Sequence, residues 1–139
     1  PPRGRSEKGD PLMPLVRVSV PAGKGAAYIA AIGESIHQAM VATINVPPGD
    51  RFQIFTEHAK GTLVIDPAYL GIERSPEAIL VQITISAGRT VEMKKALFAK
   101  IAEGLARAPG LRKEDVFVNV VEVIKENWSF GNGIAQYAD

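Results

Sequence analysis

The sequence predicts an α/β (α+β) fold in which two tandem βαβ units place two helices on one face of a four-stranded sheet. The first observation is an internal repeat. Shifted by 65 positions, residues 16–57 align without a gap on residues 81–122, so that VRVSVPAGK meets VQITISAGR. The second observation is that each copy begins with a hydrophobic period of two and continues with a period of three to four. A repeat of this kind indicates one structural unit used twice.

The start of each copy has the pattern of a half-buried strand. In the first copy Val16, Val18 and Val20 alternate with the polar residues Arg17 and Ser19. This period of two places the three valines on one face of a sheet. The second copy repeats the alternation with its own branched residues, which are Val81, Ile83 and Ile85.

A helix is expected after each of these strands, because apolar residues recur there at three- and four-residue steps. They are Ile29, Ile32, Ile36, Met40 and Ile44 in the first copy, and Met93, Leu97, Ile101 and Leu105 in the second. Thr90 is placed as the N-cap of the second helix, with Glu92 favourably positioned in its first turn. NVPPG at 45–49 and PG at 109–110 are expected to end the two helices.

A further strand is expected in each copy, at residues 51–56 and 116–121. A crossover of about thirty residues that contains a helix implies parallel pairing and a right-handed connection. The two helices cover only one face of the resulting sheet. The other face also needs cover, which favours an oligomer.

We interpret residues 14–139 as one domain. It is expected to comprise a first βαβ unit (14–57), a linker (58–77), a second βαβ unit (78–122) and a tail (123–139). A short strand is expected in the linker at 62–65. Residues 1–13 are polar and rich in Pro and Gly, and we interpret them as a leader that is disordered or removed.

The composition excludes several classes of function. A net charge of +1 gives no reason to expect nucleic acid or an anionic membrane as a partner. The lack of cysteine excludes disulfides and thiolate chemistry, and with two histidines no His-rich metal site is expected. His37 and His58 are expected to have structural or surface roles. Neither a membrane span nor a signal peptide is recognised, so a cytoplasmic location is expected.

The start of the first strand resembles a known family. MPLVRVSV, which contains Met13 and Pro14, is followed by PAGK, and the two together resemble the start of a tautomerase superfamily member with the 4-oxalocrotonate tautomerase-like (MIF-like) fold. VPPGDRFQ, YLGIERS, ISAGRT and ENWSFGNG resemble the subgroup that includes malonate semialdehyde decarboxylase, and WSFG at 128–131 is the most specific of these. The resemblance covers residues 14–139. It implies a four-stranded mixed sheet, a homotrimer, no cofactor, and removal of the methionine to free Pro14.

The same resemblance implies roles for six residues. Pro14 would be the catalytic base and Arg89 would bind the carboxylate of the substrate. Asp50 matches the acidic residue of the decarboxylase, and Lys24 stands where simpler members carry a catalytic arginine. Trp128 and Phe130 would form walls of the pocket and keep it dry.

A free proline nitrogen suits proton transfer. The pKa of an α-amino group is about 8, and both desolvation and a neighbouring cation lower the pKa further because they disfavour the ammonium form. The neutral amine can take a proton from the carbon next to a carbonyl and return it elsewhere. We therefore expect an isomerase that performs keto–enol proton transfer on a small carboxylate-bearing substrate.

Three observations keep alternatives open. The decarboxylase relatives carry Arg-Pro-Arg where this chain has Ala87-Gly88-Arg89, so decarboxylation, or dehalogenation or hydration of a short acid, is the second hypothesis. Asp50 shares its repeat position with Asp115, which also fits a role in a turn or cap. If the leader stays attached, Pro14 has an amide nitrogen that cannot act as a base. The third hypothesis is therefore a non-catalytic trimeric module.

Overall fold

The computed structural model describes residues 13–138 and contains four strands and two long helices. In chain order these are β1 (Leu15–Pro21), α1 (Ala26–Ile44), β2 (Gln53–His58), β3 (Ile79–Ser86), α2 (Val91–Arg107) and β4 (Val116–Val123). The strand order is β2-β1-β3-β4. The pairs β1–β2 and β3–β4 are parallel and β1–β3 is antiparallel, so the mixed sheet is confirmed. The predicted leader lies outside the described residues up to residue 12 and stays a prediction.

The two βαβ units are related by an approximate two-fold axis. Arg17 pairs with Gln82, the residue that occupies its own repeat position 65 residues later. The axis therefore passes through this pair. It exchanges the two βαβ units, and with them the two edges of the sheet that are formed by the ends of the strands. We call the edge where β1 begins and β3 ends the Pro14 end. We call the opposite edge, where β1 ends and β3 begins, the Ile79 end, because Ile79 occupies the repeat position of Pro14.

The core lies between the sheet and the two helices. All three valines of the β1 alternation are fully buried or nearly so, and the helix stripes predicted from the sequence supply the facing layer. The fully buried side chains of that layer are Ile32, Ile36, Met40, Ile44, Leu97, Ile101 and Leu105. The two helices pack closely because Gly104 of α2 lies against Ser35 of α1, whose hydroxyl donates to the carbonyl of Ala108 at 2.7 Å.

The helix ends follow the predicted signals. The Thr90 hydroxyl accepts from the amide of Met93 at 3.1 Å and caps α2, with Glu92 in the first turn. The C-terminal end of α1 is at Ile44. The next residue, Asn45, has a φ of 62° in the left-handed region and ends the helix. Pro109 follows the end of α2, where a proline cannot continue the hydrogen-bond ladder.

The predicted strand at 62–65 is wrong. The amide and the hydroxyl of Thr62 both donate to the carbonyl of Ala59, at 3.0 and 2.6 Å, and close a local turn instead. Val64 is 85 % exposed. A segment of alternating residues forms a strand only beside another strand that supplies hydrogen bonds, and among residues 13–138 no strand lies beside this one. The strand β2 also begins and ends two residues later than the predicted 51–56.

The face of the sheet opposite the helices has no second layer among residues 13–138. Exposed apolar side chains stand on it, including Ile54, Phe117 and Val121, beside the polar pair Arg17 and Gln82. None of the described helices is long and apolar enough to cross a membrane.

Candidate functional site

Pro14 is buried at the start of the sheet. Leu15 pairs with Thr84, so the same register brings Pro14 beside Ile85, the next-to-last residue of β3. On the other side the amide of Val16 donates to the carbonyl of Phe52 at 3.0 Å. Pro14 therefore lies where the beginnings of β1 and β2 meet the end of β3.

Arg89 is held at the same end. It follows β3 by three residues, after a turn at Gly88 whose φ of 127° suits only glycine. Its Nη1 donates to the carbonyl of Ser86 at 3.3 Å, and the side chain is half-buried. The guanidinium thus lies over the last residue of β3. Pro14 is next to Ile85 in the same strand end, so the two side chains share one edge of the sheet.

The aromatic tail also reaches this end. Trp128 donates its Nε1–H to the hydroxyl of Ser86 at 3.0 Å. Its ring stacks on Phe130 with the centroids 5.4 Å apart, and Phe130 meets Tyr137 edge-on at 5.2 Å. The Gln136 side chain fastens this segment, because it accepts from the amide of Phe130 and donates to the carbonyl of Gly131, both at 3.0 Å.

Asp50 lies in the turn that leads into β2. Its amide donates to the carbonyl of Pro47 at 2.9 Å. Because β2 runs parallel to β1, it begins at the Pro14 end, and Asp50 lies there. Its repeat mate Asp115 is 1 % exposed and has a structural role. Asp115 accepts from the amide and the hydroxyl of Ser75, at 2.7 and 2.6 Å. The turn role considered for both aspartates therefore fits Asp115.

Lys24 lies at the other end of the sheet. It follows β1 and forms an ion pair with Glu77, which precedes β3. With a rise of about 3.3 Å per residue, the length of β1 puts it about 20 Å from Pro14. Five of the six predicted site residues thus lie at the Pro14 end, and Lys24 lies at the Ile79 end.

Other arginines are engaged elsewhere. Arg51 donates to Glu34 of α1 at 2.7 Å, and this hydrogen bond holds the pKa of the Glu34 carboxyl below its usual range. Arg74 donates to the carbonyls of Asp66 and Tyr69 in the linker. Arg89 is therefore the arginine whose guanidinium lies over the end of β3.

Two residues of the site were missed by the sequence analysis. Ser86 joins Arg89 and Trp128 through its carbonyl and its hydroxyl. Its only signal was its position three residues before Arg89. Tyr137 extends the aromatic cluster from a tail that has no periodicity, so nothing in the pattern pointed to it.

The arrangement can bind an anion and exclude water. A guanidinium grips a carboxylate with two charge-assisted hydrogen bonds, and the stacked rings are apolar surface at the same end. Within residues 13–138 no group of three or more His, Cys, Asp or Glu side chains is placed to hold a metal ion.

Family models and relatives both match this chain. Two family models, both described as tautomerase enzyme, match residues 50–131 and 14–72. The chain is 40 % identical to the probable tautomerase YusQ of Bacillus subtilis (strain 168), over 89 % of this chain and 98 % of that protein. The probable tautomerase YrdN of the same strain is 31 % identical, with 90 % and 96 % covered.

Solved structures give the same result. FG41 malonate semialdehyde decarboxylase, inhibited by 3-bromopropiolate, is 37 % identical with a TM-score of 0.82, over 88 % of this chain and 92 % of that one. A fused 4-OT described as a symmetric trimer is 27 % identical with a TM-score of 0.71, over 86 % and 94 %. The fold, the matched family models and the relatives agree, and the chain belongs to the tautomerase superfamily.

Proposed function

We propose that the protein is a cofactor-independent tautomerase that interconverts the keto and enol forms of a small carboxylate-bearing acid, with the amine of Pro14 as the base. The observation that carries this proposal is the burial of Pro14 at the same end of the sheet as Arg89 and the aromatic tail. The names of the bacillar relatives support the reaction class.

The chemistry depends on a free Pro14 nitrogen. Burial disfavours the ammonium form and lowers the pKa of the amine, so a larger share of it is neutral near pH 7 and can accept a proton. In the direction from enol to keto, the amine removes the hydroxyl proton as the carbon–carbon double bond shifts to form the carbonyl. The resulting ammonium then delivers a proton to the carbon, so that the reaction is an isomerisation without net proton change.

The other site residues are proposed to bind and position the substrate. Arg89 holds its carboxylate. Trp128 and Phe130 exclude water from the reacting carbon, and Asp50 orients the reacting group from the turn before β2. Lys24 is about 20 Å away along β1, so we assign it to the pocket of a neighbouring subunit.

A homotrimer would supply that neighbour. The exposed apolar residues Ile54, Phe117 and Val121 give the uncovered face of the sheet a surface to pack with. The fused 4-OT relatives described as trimers support this assembly. The proposed location is the cytoplasm, and neither a nucleic acid nor a membrane is proposed as a partner.

Decarboxylation of a short oxo acid, or dehalogenation or hydration of an unsaturated one, is the second candidate. The likeness to malonate semialdehyde decarboxylase favours it. Ala87 is evidence against it. By resemblance, the decarboxylases carry Arg-Pro-Arg at this strand end, so this chain has one cation fewer there.

The decisive experiment compares a protein that begins at Pro14 with the chain that begins at Pro1. Ketonisation of the phenylpyruvate enol is followed by absorbance, and carbon dioxide release from malonate semialdehyde is measured in parallel. Activity in the shorter protein alone, lost in its Pro14→Ala variant, is expected. Equal activity in both proteins would remove Pro14 as the base. Carbon dioxide release without ketonisation would favour the second candidate, and inactivity in both would favour the non-catalytic module.

A further inference from the structure

A cavity of about 350 Å³ lies at the Ile79 end, the edge of the sheet opposite Pro14. Pro21 and His58, which pair at the ends of β1 and β2, form its floor. Because Val20 points into the core, the neighbouring Pro21 faces the side of the sheet away from the helices. The volume is within the range of small-ligand pockets.

The approximate two-fold axis makes this cavity the counterpart of the Pro14 end. Pro21 occupies the repeat position of Ser86, and His58 that of Val123. Two wall residues, Leu63 and Ile65, occupy the repeat positions of the stacked rings Trp128 and Phe130. The linker after β2 therefore covers this end as the tail after β4 covers the other.

Hydrogen bonds hold the walls of the cavity in place. On one side Thr62 closes a turn on the carbonyl of Ala59. On the other side Ser75 is fixed by the buried carboxylate of Asp115, and its carbonyl accepts from the amide of Ala78 at 3.1 Å. A ligand would therefore meet a formed pocket and would not have to order these segments.

The polar groups of the cavity suit an anion. The Nε2 atom of His58 is buried and has no hydrogen-bond partner among the described residues. Lys60 lies beside it in the lining. The nearby carboxylates are engaged, since Glu77 is paired with Lys24 and Glu57 accepts from the amide of Gly23 at 3.4 Å. The rest of the lining is largely apolar, with Leu63 and Ile65 as its largest side chains.

We propose that this cavity is a second binding site, which takes a small carboxylate with an apolar body. The carboxylate accepts hydrogen bonds from the Lys60 ammonium and, once the imidazole turns its buried Nε2 toward the cavity, from His58, and the apolar body packs on Leu63 and Ile65. The site binds without proton transfer, because Ile79 stands at the repeat position of Pro14 and its backbone nitrogen is an amide. The proposal does not depend on the activity of the Pro14 end.

The test uses phenylacetate as the probe and the two histidines of the sequence as reporters. With ¹⁵N-labelled histidine in the full chain, the ring signal of His58 is expected to shift and saturate, while that of His37 stays in place. Lys60→Ala should weaken the affinity at least about fivefold, since it removes a charge-assisted contact. The matched control is Lys125→Ala, which changes the repeat mate of Lys60 at the other end and should leave the affinity unchanged.

The Arg89→Ala variant separates the two ends of the sheet. The His58 shift should persist in this variant with the same affinity, even if its activity at the Pro14 end is lost. A His58 signal that does not move at about 10 mM phenylacetate, above the millimolar dissociation constant expected of so small a ligand, would overturn the proposal. A neighbouring subunit that fills the cavity would give that result. A shift that disappears in Arg89→Ala, or that is unaffected by Lys60→Ala, would also overturn it.

Discussion

Replacing Ser86 by alanine tests whether one hydroxyl fastens the aromatic tail to the sheet. Ser86 is 3 % exposed, and its Oγ accepts from Trp128 Nε1 at 3.0 Å. The variant loses a hydrogen bond worth about 0.5–1.5 kcal/mol. The indole N–H of Trp128 also loses its acceptor, which costs about 1–3 kcal/mol more if no water reaches the N–H. Trp128 is only half-buried, so water satisfies part of its N–H. We therefore expect a loss of about 1–2 kcal/mol in the free energy of unfolding.

The assay is intrinsic fluorescence, because Trp128 is the single tryptophan of the sequence. Ser86→Ala should shift the emission to the red, increase quenching by acrylamide, and lower Tm by roughly 3–8 °C. Ser86→Thr, which keeps the hydroxyl, and Ser129→Ala, beside Trp128 in the exposed tail, are the controls. Unchanged emission and quenching in Ser86→Ala would show that the stacked rings hold the tail without this hydrogen bond.

Four other substitutions test the site and its surroundings. Arg89→Ala should lower kcat/KM about 10- to 150-fold through loss of a charged hydrogen bond, whereas steady-state kinetics should be unchanged in Arg107→Ala, an exposed control at the end of α2. Asp115→Ala should lower the free energy of unfolding measured in urea by about 2–4 kcal/mol, because the amide and hydroxyl of Ser75 lose their acceptor. Asp50→Ala should instead lower kcat. If it lowers only the stability, Asp50 does not have its assigned role. Burial first, and then the charges of Glu77 and Asp115, raise the pKa of the Tyr28 hydroxyl. The unfolded chain therefore loses this proton first, and stability falls as pH rises above the unfolded pKa of about 10. Tyr28→Phe should reduce that fall, and an identical alkaline profile would contradict the stated cause.

The order and pairing of the strands within each βαβ unit could be predicted because the repeat and its two hydrophobic periods are strong. The placement of the site could not be predicted from them. Lys24 and Arg89 share one repeat position, and only the antiparallel β1–β3 pairing puts them at opposite edges. Ser86 was missed because its partner, Trp128, comes from a tail without periodicity. The false strand at 62–65 arose from an alternation that has no neighbouring strand to pair with in the part of the chain that the structure describes.

The proposed function depends on proton transfer by a buried Pro14 amine. Its most direct test is a pH titration of that amine by ¹⁵N NMR, in protein that begins at Pro14, together with the pH profile of kcat/KM. We expect an amine pKa below about 8, the ordinary value of an α-amino group, and a rising limb of kcat/KM at the same pH. An amine that titrates at or above that value, or a kinetic limb at a different pH, would contradict this expectation.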